Sequence, residues 1–394
     1  MRTFTFDMYQ TLMVAVLALL LGGLIRKKVP ALKRFCIPAP VIGGLIVSVI
    51  TCVLYATGVL TVAFDDTFRE VCMIFFFTSV GFQANLKALK AGGKGIVIML
   101  ILLVALISSQ NLIAIGLSVP LGISPMTAFC TGSIPMVGGH GTAGAFGPVL
   151  EDFGVQGAST ICTAAATYGL IVGSLIGGPI ADRLIEKRDL VKTAIPPEKN
   201  VTTDKTFKDL AGGYAGAVFE LVIAVGIGTV VTMLLRATGL TFPVYIGSMI
   251  SAAVIRNIGE YSGKIPLFMD KVEDIGSIML SLFLGIAMIT LQIWQLAGLA
   301  LPMIVLLLAQ TIWMVVFAGV ITFRAMGKDY DAAVITAGFC GFGMGATPNA
   351  MANMEAVTTR YVPSAKAFLL IPIVGSLFTD FLNSILITFF INLI

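Results

Sequence analysis

The residues with chemical reach in this chain are few and closely set. Gly132-Ser-Ile-Pro-Met-Val-Gly-Gly-His-Gly-Thr-Ala-Gly-Ala-Phe-Gly147 holds six glycines and His140, the one histidine of the sequence. Its hydrogen-bonding groups are Ser133, His140, Thr142 and the backbone amides and carbonyls that Gly139 and Gly141 leave uncovered. None carries a fixed charge. Such a set can replace the water shell of a small ion or zwitterion. It is poorly suited to bond-breaking chemistry: Ser133 and His140 can be drawn as nucleophile and base, but Gly132-Ser133 lacks the flanking pattern of a nucleophile elbow. Zinc is not expected, since no second histidine and no cysteine pair accompany His140.

About 205 residues later the chain repeats itself in outline. Gly343-Met-Gly-Ala-Thr-Pro-Asn-Ala350 lies over Gly138-Gly-His-Gly-Thr-Ala-Gly-Ala145, matching Gly138 with Gly343, Thr142 with Thr347 and Ala145 with Ala350. The second stretch adds Gly343, Gly345, Thr347, Asn349 and Asn353 to the candidate site. Small residues that only let helices pack closely would account for one such cluster better than for two at matching positions.

The elements that must position these residues follow from composition. At 57% hydrophobic and 12% charged residues, with a mean hydropathy of +0.99, the chain lies far outside the soluble range, in which roughly 25% of residues are charged. Apolar runs long enough to span a bilayer fall at about 8–25, 39–57, 70–86, 95–119, 158–181, 214–235, 242–256, 274–292, 296–321 and 365–392. The expected fold is an all-α polytopic membrane protein with ten spans. The two glycine-rich runs, 126–150 and 331–354, remain. Irregular backbone at membrane depth survives only where protein or a water-filled cavity satisfies it, so both read as re-entrant hairpins. The first span is expected to be retained, because Met1–Asp7 carries one basic residue and no small-residue cleavage site follows. The six cysteines stand singly and read as packing residues.

The basic residues test this count. With both termini outside, all of the 25 Lys and Arg except Arg2, Arg69 and Arg236 fall in inside loops and their flanks, as the positive-inside rule requires. Treating either hairpin as a full span would scramble that partition. The polar stretch 182–210 then becomes a cytoplasmic linker between a first repeat, 1–181, and a second, 211–394. Each has five spans and one hairpin, and the odd span number inverts the second. Matching residues run along both: Pro40-Val41 with Pro243-Val244, Gly81 with Gly285, Gln110 with Gln310, Glu151 with Glu355, and Ile171-Val-Gly-Ser-Leu175 with the identical Ile373-Val-Gly-Ser-Leu377. Inverted repeats with glycine- and proline-broken segments at matching positions are the pattern of secondary transporters, with the site where those segments meet.

Two carboxylates fall within spans, Glu220 and Asp380, and such residues are functional candidates by default. Glu220 lies about two turns from its helix end and can turn back to water. Asp380 follows the repeated pentapeptide, with Thr379 and Asn383 beside it, and its repeat partner is Gly178. No Lys or Arg is assigned to the membrane interior. An anion there would rely on helix termini worth about 0.3–1 and at most about 2 kcal/mol each, against a desolvation cost of several kcal/mol. A co-bound cation at Asp380, Thr379, Asn383 and the carbonyls of Gly343 and Gly345 would supply the missing charge. The expected substrate contacts are Ser133, Gly139, His140, Gly141, Thr142, Thr347, Asn349 and Asn353.

Ile37-Pro-Ala-Pro-Val-Ile-Gly-Gly44, Gly138-Gly-His-Gly-Thr142, Gly327-Lys-Asp-Tyr-Asp-Ala-Ala333, Cys340-Gly-Phe-Gly-Met-Gly-Ala-Thr-Pro348 and Ala352-Asn-Met354 together resemble the bacterial sodium/glutamate symporters over nearly the whole chain. The resemblance implies Na+-coupled uptake of glutamate across the cytoplasmic (inner) membrane, ten spans with two re-entrant loops, a homodimer in lipid and an elevator-like movement. It implies no enzyme activity, no cofactor beyond Na+ as coupling ion, and no nucleic-acid partner. The sequence departs from the family in Ala143-Gly144 and in Phe339, where family members often carry Gly-Ala and His. The alternatives are a Na+- or H+-coupled carrier of citrate- or malate-like carboxylates, a channel, and an intramembrane hydrolase.

Overall fold

Asp7 starts the first long helix by a reciprocal cap: its carboxylate accepts from Gln10 N at 2.8 Å while Gln10 Oε1 accepts from Asp7 N at 3.1 Å. Helix α1 (Met8–Lys28) then runs through apolar sequence to a basic last turn of Arg26, Lys27 and Lys28, which suits the negative end of a helix dipole. The computed structural model describes residues 2–35, 37–86, 93–193, 213–237, 242–262, 267–296 and 299–394. Of the linker, 194–210 lies outside the described residues, as do Lys87, Lys90, Lys199, Lys205, Lys208 and Lys264.

After α1 come α2 (Ala39–Ala56), α3 (Thr67–Gln83), α4 (Gly93–Leu121), the short α5 (Pro125–Phe129) and α6 (Ser133–Met136), α7 (Gly139–Asp152) and α8 (Ala158–Arg188). The remainder gives α9 (Tyr214–Arg236), α10 (Val244–Ser262), α11 (Met269–Ile289), α12 (Ala300–Val316), α13 (Tyr330–Gly343), α14 (Thr347–Arg360), α15 (Ala365–Leu377) and α16 (Thr379–Ile391). Helix α12 continues through a π-helical stretch, Phe317–Thr322. The chain is a polytopic helical membrane protein. Among the described residues seven helices are long and apolar enough to cross a bilayer, and α15 with α16 makes an eighth if taken as one broken span. The two other expected spans coincide with α3 and α10. Helix α3 is only 17 residues long, and α10 carries Arg256, Asn257 and Glu260. These two pack on each other, and α3 buries the continuous run Phe77–Phe82. Neighbours rather than lipid therefore take up much of their surface.

Two features depart from the expected order. A parallel two-stranded ribbon joins β1 (Arg2–Phe6) to β2 (Leu60–Phe64), in register from Arg2 opposite Leu60 to Phe6 opposite Phe64, whose rings stack at 5.2 Å. The last span is bent by 45° between Leu377 and Thr379, just after Gly375-Ser376, a kind of pair at which helices kink. Thr379 Oγ1 donates to the Val374 carbonyl at 3.0 Å and holds the break.

Packing crosses the two halves of the sequence. Helices α1, α2, α3, α9, α10 and α11 contact one another, α11 lying on the α1–α2 pair and α3 on the α9–α10 pair. Helices α4 to α8 and α12 to α16 form the second group, with α8 against α7, α13 and α14. The groups meet where α7 crosses α11 and faces α3, with Gly144 against the Phe283 ring and Gly141 against Phe76 and Leu280, and again where α15 and α16 touch α3 and α16 touches α10.

Candidate functional site

The first glycine-rich stretch is three helical pieces rather than one helix. Ser124 caps α5 by accepting from Thr127 N at 3.0 Å. Gly132 separates α5 from α6, and Gly138-Gly139 separates α6 from α7, Gly139 taking a left-handed φ of +58° that glycine alone adopts without strain. The turn at Ser133 is pinned from both sides: Ser133 N donates to Asn111 Oδ1 at 2.8 Å, and the Ser133 carbonyl accepts from Asn383 Nδ2 at 3.1 Å.

The second stretch is two helices meeting at a tip. Asp329 caps α13, its carboxylate accepting from Ala332 N at 2.7 Å, and α13 ends at Gly343. That carbonyl accepts from Gln110 Nε2 at 2.9 Å, while Gln310 Nε2 donates to the Gln110 carbonyl at 2.8 Å. The matched glutamines thus brace the tip from behind. Helix α14 begins at Thr347, with Pro348 in the first turn, where its missing N–H costs nothing.

The two tips, the broken last span and the facing sides of α3 and α11 line one cavity of about 410 Å³. Of the expected residues, Gly139, His140, Gly141, Thr142, Gly345, Thr347, Thr379 and Asp380 line it. Asp380 sits in the first turn of α16, where uncapped amides favour a carboxylate. The other candidates stand behind the wall. Asn349 Nδ2 donates to the Leu170 carbonyl at 2.9 Å and to Ser174 Oγ at 2.6 Å, and Asn353 Nδ2 donates to the carbonyls of Gly173 at 2.9 Å and Ala337 at 3.2 Å. Both amides tie α14 to α8. Ser133 and Asn383 are fully buried under the first tip, and Gly343 faces Leu106 and Met314.

His140 is 5% exposed, and its Nε2 lies 2.9 Å from Thr167 Oγ1. The Thr167 hydroxyl donates its single hydrogen to the Thr163 carbonyl at 3.1 Å. In that arrangement it accepts from the ring, which places the proton on Nε2 and leaves Nδ1 as the acceptor. Glu220 accepts from Phe268 N at 3.3 Å, at the start of α11, and does not line the cavity. Sequence reasoning passed over Gln83, Glu273 and Ser376, which do. Only the Ser376 match to Ser174 pointed there; Glu273 belongs to an ordinary charged helix start, just past the first turn that holds Asp270. A larger cavity, about 900 Å³, lies between β2, the α7–α8 turn and the end of α11, and includes no residue of either tip.

A helical membrane protein with a cavity between interrupted helices, its mostly apolar wall carrying a few polar groups, has an arrangement that membrane carriers use. The sequence comparisons give the family. Residues 4–363 match the family model described as "Sodium/glutamate symporter". The chain is 39% identical over 396 residues to the sodium/glutamate symporter of Escherichia coli (strain K12), covering 99% of this chain and 98% of that one. It is likewise 39% identical over 395 residues to the sodium/glutamate symporter of Haemophilus influenzae, covering 98% and 97%. The chain belongs to the sodium/glutamate symporter family.

Proposed function

We propose that this chain is a Na+-coupled glutamate symporter of the bacterial inner membrane. The observation that carries the reading is the cavity itself, which joins two glycine-rich tips to Asp380, the carboxylate in the break of the last span. Glutamate exchanges its water shell for tip amides and for Thr142 and Thr347, and its ammonium group donates to His140 Nδ1. Na+ at Asp380 and Thr379 supplies the charge that helix termini, at about 0.3–1 kcal/mol each, do not. Substrate and ion then stabilise each other side by side in one cavity. A net inward charge gains about 2.3 kcal/mol per 100 mV.

In this reading the glycine-rich stretches are re-entrant hairpins of two inverted repeats, 1–181 and 211–394. Both termini lie outside, the linker lies in the cytoplasm, and two copies associate. The hairpin-bearing helices move as a body past the α3–α11 face. The smooth contact of Gly141 and Gly144 against Phe76, Leu280 and Phe283 supports sliding there.

Uptake of labelled glutamate into proteoliposomes, under Na+, H+ and voltage gradients imposed one at a time, tests the reading. Glutamate uptake driven by Na+ and accelerated by a negative interior is expected, with counterflow from preloaded vesicles. Transport of citrate or malate in place of glutamate would overturn the substrate, and an absence of Na+ dependence would overturn the coupling.

A further inference from the structure

Beside the candidate cavity lies a smaller one, about 180 Å³, between α3, α10, α11 and the end of α15. Gln83, Glu273 and Ser376 line both, so the two adjoin along one wall. Helix contacts fix that wall. A Cβ on Gly276 would stand 2.0 Å from Ser79 Oγ, so α11 and α3 cross closely there. Glu273 lies three residues before Gly276 and Gln83 four after Ser79, each about one turn from the crossing. Asn257 pins α10 to the end of α3, its Nδ2 donating to the Ala84 carbonyl at 2.7 Å and its Oδ1 accepting from Leu86 N at 2.9 Å. Arg256, its neighbour in sequence, lines the smaller cavity and is the one cation among the described residues that line either. Its side chain is 16% exposed, and its Nη2 comes no closer than 3.4 Å to Glu260 Oε2. Glu220 of α9 adds a second carboxylate within electrostatic reach. The Arg256 Nε is buried without a hydrogen-bond partner among the described residues. An i,i+4 ion pair is a weak reason to bury a guanidinium, and an orphaned buried donor calls for an acceptor.

We infer that the smaller cavity is a release site for the transported amino acid, Arg256 receiving a carboxylate and Glu273 the ammonium group after both leave the tips. The inference rests on the symport reading and deepens it. A guanidinium edge matches a carboxylate in two parallel hydrogen bonds, and Glu273 on the shared wall carries the charge an ammonium group seeks. Opposite charges in one small cavity are complementary to an amino-acid zwitterion. In the topology of the symport reading, Arg256 and the start of α11 lie on the cytoplasmic side. The site is therefore met by substrate leaving the carrier and not by substrate arriving from outside. Departure from the main cavity costs the anion its Na+ partner, and the fixed charge of Arg256 replaces it one step along. Glu260 and Glu220 offset part of that charge, which keeps the hold loose enough for the substrate to go on. Glu273, facing both cavities, passes the ammonium group from one to the other.

Sidedness tests the site. Glutamate transport at saturating Na+ is measured in right-side-out and inside-out membrane vesicles, which offer the outer and the inner face to the medium. Arg256→Gln is expected to raise KM for glutamate at the inner face about tenfold, the loss of one charge-assisted contact, and KM at the outer face by less than about twofold. Glu260→Gln breaks the same ion pair and keeps the guanidinium, so it is expected to leave the inner KM unchanged or to lower it. That control separates a binding arginine from a merely structural one, for which the two variants would behave alike. If Arg256→Gln does not fold, Arg256→Lys decides. It keeps the charge, loses the two-pronged grip, and is expected to raise the inner KM about threefold. Equal shifts at both faces, or no shift at either, would overturn the site in whichever variant is read. A wild-type protein that moves no glutamate in either kind of vesicle would sink the symport reading and the site with it, whereas wild-type transport with unshifted variants sinks the site alone.

Discussion

Gly139 turns through a left-handed backbone directly against the carbonyl of Gly345, which would stand 3.0 Å from a Cβ added at Gly139. The two tips, about 205 residues apart in sequence, touch at this point beside the cavity. Alanine at 139 meets both obstacles at once: a left-handed conformation costs it about 1–2 kcal/mol, and the carbonyl must give way. Gly139→Ala is expected to fold and to lower glutamate kcat/KM about tenfold or more. At Gly141 an added Cβ would meet Phe76 at 3.4 Å, an ordinary contact, with no left-handed φ. Gly141→Ala is expected to lose less, and the same uptake assay on both variants checks the order.

Asp380 is the one carboxylate the broken span brings to the cavity. Asp380→Asn keeps its size and removes its charge, so expression and melting should change little. Na+ activation of uptake is expected to shift to roughly tenfold higher concentration, because a charge-assisted contact is worth about 1.5–3 kcal/mol. An unchanged Na+ activation curve in a normally expressed variant would remove Asp380 from the site.

The α1–α2 pair depends on backbone approach. A Cβ on Gly22 would lie 2.0 Å from the Ala39 carbonyl oxygen, and nothing lies within 4 Å of one on Gly23. Gly22→Ala must separate the helices, and overpacking of this kind costs about 1–3 kcal/mol. Gly23→Ala is expected to be neutral or slightly stabilising, since alanine is the better helix former. Thermal melts of the two variants in detergent should differ in sign or by several degrees, and equal melting would contradict the tight crossing.

Much of the architecture was legible because long apolar runs admit few alternatives: nine of the expected spans each coincide with one helix, the two glycine-rich runs break as expected, and the last span, expected whole, is two helices bent at Phe378. Less visible was direction. Asn349 and Asn353 looked like cavity residues, but a sequence does not show which way an amide points, and both face the carbonyls of α8. The identical pentapeptides also part ways. Ile171–Leu175 lies inside unbroken α8, whereas Ile373–Leu377 ends at a bend. The difference comes just after, where Thr379-Asp380 stands in place of Gly177-Gly178: Thr379 turns its hydroxyl back to Val374, and Gly177 instead packs under Asn353. The exchange of partners between halves, α3 on α9–α10 and α11 on α1–α2, leaves no mark in local periodicity at all.

His140 has two nitrogens with separate tasks, and substitution can divide them. With Thr167 donating to the Thr163 carbonyl, Nε2 donates to Thr167 and Nδ1 is left to accept, in the proposed reading from a substrate ammonium group. Glutamine reaches about as far as Nε2 and can keep the Thr167 bond, while asparagine offers a polar atom near the Nδ1 position. If acceptance from substrate is what matters, His140→Asn should retain more glutamate affinity than His140→Gln, although it frees Thr167. If the ring only braces α7 against α8, the order reverses. Thr167→Val separates the effects further: it strands the Nε2 proton at a cost of about 1–3 kcal/mol and leaves Nδ1 in place. It is expected to lower melting temperature while raising the KM for glutamate by less than His140→Gln does. Melting curves and KM values measured on the same three preparations decide between the two roles.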